Sequence, residues 1–216
     1  MNPLILKDVT ISLNGRVLLD ISATVSPGET LTVMGESGSG KSSLLAYICG
    51  FLDRNFDASG DVYLGELNLT TLPSHQRHTG ILFQDPLLFP HMSVGENLLF
   101  AVPASITGQE RVEQAEAALL EAGLEGFFDR DPATLSGGQK ARVALMRVLL
   151  SQPSALLLDE PFSKLDSGRR DRIRKFVFEE ARRQNLPTLL VTHDEADAQA
   201  AEGKIVRLDD LSPSNG

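Results

Sequence analysis

Residues 30–42 read TLTVMGESGSGKS. A short apolar strand, Thr30–Met34, runs into a glycine-rich loop, and the loop runs into a helix-forming stretch at about Lys41–Gly50. The loop residues Gly35, Glu36, Ser37, Gly38, Ser39, Gly40, Lys41 and Ser42 fit G-x-x-x-x-G-K-[ST], in the strand–loop–helix setting the pattern requires. Gly38 and Gly40 let the loop wind tightly, so that successive N–H groups point at phosphate oxygens. The helix N-terminus, with Ser43 in its first turn, adds partial positive charge. Lys41 can reach β- and γ-phosphates, and the Ser42 hydroxyl is of the type that binds Mg²⁺.

Outward from this loop the chain alternates. Lys7–Leu13 and Arg16–Val25 flank Asn14-Gly15 and read as a hairpin. Asp61–Leu64 and Leu67–Leu69 form a second small hairpin around Gly65, and Gly80–Gln84 is another strand. From Asp85 strand patterns vanish, and Val112, Ala115, Leu119 and Ala122 recur at helical spacing. Residues 85–138 therefore read as a helical subdomain inserted between 1–84 and 139–216. After it come a helix at Gly138–Leu150, a strand at Ala155–Leu158, a helix at Ser167–Gln184, and strands at Thr188–Thr192 and Ile205–Leu208. The expected fold is α/β with a mostly parallel sheet, ligands sitting at the carboxyl ends of its strands.

Composition narrows the class. The chain has 216 residues, 42% apolar and 23% charged, which suits one ordinary globular domain. Its 29 acidic against 20 basic residues give a net charge of −9, which disfavours nucleic acid as a partner. The longest stretch free of Asp, Glu, Lys and Arg is 13 residues, Asn97–Gln109, against the ~20 a spanning helix needs. The start, MNPLILKD, does not read as a secretory signal. A single cysteine, Cys49, excludes an internal disulfide or a cysteine-cluster zinc site.

Two further motifs carry chemistry. ALLLDEP, Ala155–Pro161, is an apolar strand ending in carboxylates. Asp159 would lie beside the phosphate loop and hold Mg²⁺. Glu160 would orient or deprotonate a water attacking a γ-phosphate. LSGGQ, Leu135–Gln139, pairs Ser136 with Gln139 in a capping-box pattern. Between them Gly137 and Gly138 bring bare N–H groups to a helix start, a second anion site.

With these three motifs in this order, nearly the whole chain resembles the ATP-binding subunit of an ABC transporter. The resemblance implies a RecA-like P-loop NTPase core with an N-terminal antiparallel β subdomain and a helical subdomain. It implies ATP and Mg²⁺ as cofactors and ATP hydrolysis coupled to transport. It implies a head-to-tail pair of ATPase subunits, identical if a homodimer. Each ATP would lie between Lys41 and its loop in one subunit and Ser136–Gln139 in the other. By resemblance Gln84 senses Mg²⁺ and the attacking water, Asp166 crosses the dimer interface, and His193 contacts the γ-phosphate. Membrane permease subunits would dock near Gln84 and the helical subdomain, at LLFPHMSVGENLLF, holding the chain peripherally at the cytoplasmic face of the inner membrane. The run from ILFQD through SVGENLL resembles compact bacterial importer subunits, thiamine-importer ATPases being a broader match. With the last strand followed only by LSPSNG, no C-terminal regulatory domain is expected. An exporter or lipoprotein-release ATPase is the alternative within transporters. A soluble repair or translation ABC protein is disfavoured by the acidic charge and by the lack of a second cassette or long coiled coil. A nucleotide-gated module with little hydrolysis is disfavoured by Glu160 and His193.

One departure stands out. The family stacks adenine on an aromatic residue upstream of the phosphate loop, yet residues 1–34 contain no Phe, Tyr, Trp or His. The matching position falls near Leu13 or Arg16. Base–aromatic stacking is worth ~1–3 kcal/mol. ATP should therefore bind several-fold to ~100-fold more weakly than in relatives, with little preference over GTP. Titration with both nucleotides checks this: comparable affinities are expected, and tight, strongly ATP-selective binding contradicts it.

Overall fold

The computed structural model describes residues 1–165 and 167–208, the side chains of 167–169 excepted. The chain divides into two units, 1–81 with 154–160 and 178–208, and 82–153 with 161–177.

The first unit holds two sheets. β1 (Leu4–Leu13) and β2 (Arg16–Val25) form the hairpin expected around Asn14-Gly15, with both turn residues at positive φ. β4 (Phe56–Leu64) pairs antiparallel with β1 and with the short β5 (Leu67–Asn68), completing the order β2-β1-β4-β5. β4 starts five residues before the expected strand. Its first half, FDASG, carries Asp57 and Gly60, which mask the pattern. Gly60 sits at a bulge where a Cβ would lie 2.2 Å from the Asp8 carbonyl oxygen, so no side chain fits.

The second sheet contains β3 (Thr30–Met34), β6 (Thr79–Leu82), β7 (Ala155–Asp159), β8 (Thr188–Thr192) and β9 (Lys204–Arg207), in the order β6-β7-β8-β3-β9. β3, β7, β8 and β9 pair in parallel. β3 and β8 are buried along their whole length, which is why they read as unbroken apolar runs rather than as alternation. α1 (Lys41–Cys49) packs on β7 and β8, and α6 (Glu195–Ala201) on β3 and β8. One apolar core joins both sheets through Leu4, Ile11, Val33, Leu45, Leu157 and Val191. Cys49 is buried in it.

The second unit is helical. It comprises α2 (Val94–Leu99), α3 (Gly108–Glu121), α4 (Gly137–Leu150) and the first part of α5 (Ser167–Arg183). It takes in more chain than the 85–138 expected, because α4 packs against α2 and α3 through one apolar face. No described helix is long and apolar enough to cross a membrane.

Candidate phosphate-binding and hydrolytic site

Parallel register sets the site. Met34 lies opposite Thr192, and Asp159 opposite Val191, so β3, β7 and β8 end together. The loop after Met34, the pair Asp159-Glu160 and His193 therefore emerge at one edge of the sheet. This is where ligands of parallel sheets sit.

The loop 35–40 enters α1 through Gly40, its N-cap, in the left-handed region at φ 88° and with no side-chain cap. Gly38 also has a positive φ of 84° and open space where a Cβ would be. The N–H groups at the start of α1 have no acceptor within the helix, by helix geometry. Lys41 is buried, and its Nζ donates to the carbonyls of Gly35 and Glu36, each at 2.7 Å. The ammonium is thus parked over the loop, and incoming phosphate oxygens would compete with those carbonyls for it. Ser39 Oγ donates to the Glu36 carbonyl at 2.8 Å.

Ser42 and Asp159, 117 residues apart, meet directly: Ser42 Oγ donates to Asp159 Oδ1 at 2.9 Å. Burial pushes the Asp159 carboxyl up; the Ser42 hydrogen bond opposes this, Glu160 adds to it, and Lys41 opposes it. A desolvated carboxylate beside a hydroxyl suits a hard divalent cation that takes few protein oxygens and fills its shell with water and phosphate. Among the described residues no group of three His, Cys, Asp or Glu forms an all-protein cage. The residues present fit Mg²⁺ held mainly by substrate.

Glu160 sits in the left-handed region at φ 44°, a conformation that costs a non-glycine residue ~1–3 kcal/mol. Its N–H donates to the Val191 carbonyl at 3.0 Å, and its Oε1 lies 3.1 Å from His193 Nδ1. The His193 turn is fastened from below. Thr192 Oγ1 donates to Asp197 Oδ2 at 3.0 Å and accepts from the Asp194 N–H at 3.1 Å, with Thr192 and Asp197 both buried. Sequence reading passed over Thr192 and Asp197; THDEAD shows them five residues apart, and only burial marks them as a pair.

In the second unit, Ser136 caps α4 with the expected capping box. Its Oγ accepts from Gln139 N, and its own N–H donates to Gln139 Oε1 at 2.8 Å. A cavity of about 670 Å³ opens there, lined by Ser136, Gly138, Gln139, Arg142, Arg172 and Phe176. Burial lowers the pKa of the Arg142 guanidinium, and the nearby Arg172 lowers it further; Glu121 also lines the cavity. Arg142 was not singled out by sequence reading. Gln84 lies exposed in this unit, two residues beyond β6 rather than at its end. Asp166 lies outside the described residues.

The family profile described as ABC transporter matches residues 18–163. The chain belongs to the ABC transporter family. It is an ATP-binding and ATP-hydrolysing subunit of such a transporter, with the ABC ATPase fold. It is 50% identical over 198 residues to the uncharacterized ABC transporter ATP-binding protein YnjD of Escherichia coli K12, covering 91% of each chain. It is 38% identical over 192 residues to the Fe(3+) ions import ATP-binding protein FbpC 1 of Rhizobium meliloti 1021. That match covers 88% of this chain but 54% of FbpC 1, so the chain spans about half the length of such relatives. A solved structure, the dimeric post-hydrolysis state of the ATP-binding cassette MJ0796 bound to ADP and Pi, superposes with a TM-score of 0.77. It shares 31% identity, over 95% of this chain and 94% of that one.

The raised pKa of Asp159 has a stability consequence in the metal-free ABC subunit. A carboxyl whose folded pKa is raised holds its proton more tightly in the folded state. Its contribution is intact at acid pH and is lost as pH rises through the folded value. Near neutral pH Asp159→Asn removes that cost while leaving an oxygen for Ser42. Its melting temperature in chelator should exceed the parent's at pH 7–8, the gain shrinking toward acid pH. Thermal scans across pH with and without Mg²⁺ check both this and the expected loss of Mg²⁺-dependent nucleotide binding. An Asn variant destabilised at neutral pH contradicts the sign.

Proposed function

We propose that two copies of this subunit close on two ATP molecules. Each ATP is held between the phosphate loop of one copy and Ser136–Gln139 of the other. The observation that carries this is the pair Gly137 and Gly138. Neither has a positive φ, and a Cβ would meet only Leu165 at 3.8 Å or Ile173 at 3.7 Å, ordinary contact distances. The free chain therefore does not require glycine at either position. Glycine in a helix costs up to ~1 kcal/mol against alanine, so these bare positions are retained for something that approaches from outside the chain. A phosphate group meeting the N–H donors that a helix start leaves without intrahelical acceptors fits that requirement.

Lys41 and the N–H groups of Gly38–Ser43 bind the β- and γ-phosphates. Ser42 and Asp159 would hold Mg²⁺, which would supply charge stabilisation at the phosphoryl oxygens; a sensing role for Gln84 is carried by the family resemblance. Glu160 takes a proton from the attacking water as its oxygen bonds to the γ-phosphorus, and the bond to the ADP oxygen breaks. His193 holds the Glu160 carboxylate in place and reaches the γ-phosphate. By the family resemblance, Asp166 would cross the interface between the two copies. The chain works at the cytoplasmic face of the inner membrane, peripheral to a permease that docks near Gln84 and the helical unit. Relatives named for Fe(3+) import support an import role for a small solute, which the permease selects.

Two substitutions test this together. Glu160→Gln should keep ATP binding, lose turnover by about 10²–10⁴, and convert to a dimer with Mg²⁺-ATP by size exclusion with light scattering. Gly138→Ala in that background should melt no lower than its parent yet stay monomeric with ATP. A Gly138→Ala protein that still dimerises overturns the proposal.

A further inference from the structure

Arg147, near the far end of α4, has no part in the site described above. It is partly buried and makes no ion pair among the described residues. Its guanidinium serves one loop instead. Nη1 donates to the Leu87 carbonyl at 2.9 Å, and Nη2 to the Pro86 carbonyl at 3.1 Å. Nη1 also lies 3.4 Å from Asn97 Oδ1, and the guanidinium stands 5.3 Å from the Phe89 ring centre. Burial lowers its pKa.

The loop it grips is not one the chain would adopt unaided. Leu87 has a φ of 46°, a left-handed conformation in a branched residue, with an exposed side chain. Asn97, fully buried in α2, fastens the next stretch: Oδ1 accepts from Phe89 N–H at 2.8 Å. Its Nδ2 donates to the carbonyls of Phe89, Met92 and Ser93 at 3.1, 3.3 and 2.9 Å. Arg147 and Asn97 together hold residues 86–93 by backbone carbonyls that a flexible loop would give to water. A partly buried cation whose hydrogen bonds go to loop carbonyls rather than to a carboxylate fixes geometry.

We propose that Arg147 is a positioning residue for the loop that follows Gln84. It ties that loop to the helix whose first turn is Ser136–Gln139, so that an event at the start of α4 is felt at residues 86–93 through one rigid element. This rests on the reading that nucleotide engages Ser136–Gln139 of the partner copy. The loop would then report nucleotide state, and its exposed Leu87 and neighbouring Phe100 would change their availability with it.

The test is amide hydrogen exchange of residues 86–93 in Glu160→Gln, with and without Mg²⁺-ATP, alone and combined with Arg147→Ala or Arg147→Lys. ATP should slow exchange there by about tenfold in Glu160→Gln alone, since ~1.4 kcal/mol of added local stability reads out as that factor. Arg147→Ala should still dimerise with ATP but lose this response to within about twofold. Arg147→Lys, which can reach one carbonyl rather than two, should keep part of it. In the otherwise wild-type enzyme Arg147→Ala should lower kcat while leaving KM for ATP within about twofold, as expected when positioning rather than binding is lost. If Arg147→Ala does not fold, the graded loss in Arg147→Lys carries the test. ATP-dependent dimers of either variant with full protection at 86–93 overturn this inference alone. Failure of Glu160→Gln itself to dimerise overturns the shared-site reading and this inference with it.

Discussion

A nucleotide triphosphate presents oxygens on several sides, and a protein can meet them without bulky side chains only by leaving backbone N–H groups bare at helix starts. This chain has two such helix starts. At α1 the N-cap is Gly40, which offers no side chain to occupy the first N–H groups. At α4 the reciprocal bonds of Ser136 and Gln139 satisfy the N-cap and third-position donors and leave those of Gly137 and Gly138 between them. The two starts belong to different structural units, one built around the parallel sheet and one helical. Under the proposed sharing, each nucleotide needs one start from each copy, and glycine at 137 and 138 is then a matter of function rather than of folding.

Charge is handled with the same economy. The sheet register brings Asp159, Glu160 and His193 to one edge with the phosphate loop. Without ligands each group is occupied by a neighbour: Lys41 by loop carbonyls, Ser42 by Asp159, Glu160 by His193. These contacts keep buried polar groups satisfied, and each is one a phosphate, a cation or a water would replace. The left-handed backbone at Glu160 goes with a carboxylate that lies 3.1 Å from His193 Nδ1.

Much of this was legible in the sequence because its signals are local. Buried parallel strands announce themselves as apolar runs, and the phosphate loop, LLLDEP and LSGGQ have fixed spacings. What escaped depends on tertiary packing. The first half of β4 hid behind Asp57 and Gly60, whose place in a strand is set by the bulge against Asp8. α2 was missed although Ser93 and Glu96 spell a capping box, because the helix is only six residues long. The buried pair Thr192–Asp197 and the clamp of Arg147 and Asn97 look like ordinary surface residues until the fold buries them.

Sharing of each nucleotide between two copies is tested most directly by complementation in the Glu160→Gln background. One protein carries Lys41→Ala, which disables its phosphate loop, and the other carries Ser136→Arg, which blocks its α4 start. Each alone should remain monomeric with Mg²⁺-ATP. Mixed in equal amounts they should form a heterodimer by light scattering, with a single bound ATP between the intact loop of one and the intact α4 start of the other. If the mixture stays monomeric while the Ser136→Arg protein binds ATP by itself as tightly as its parent, each site is complete within one chain and the shared-site mechanism is wrong.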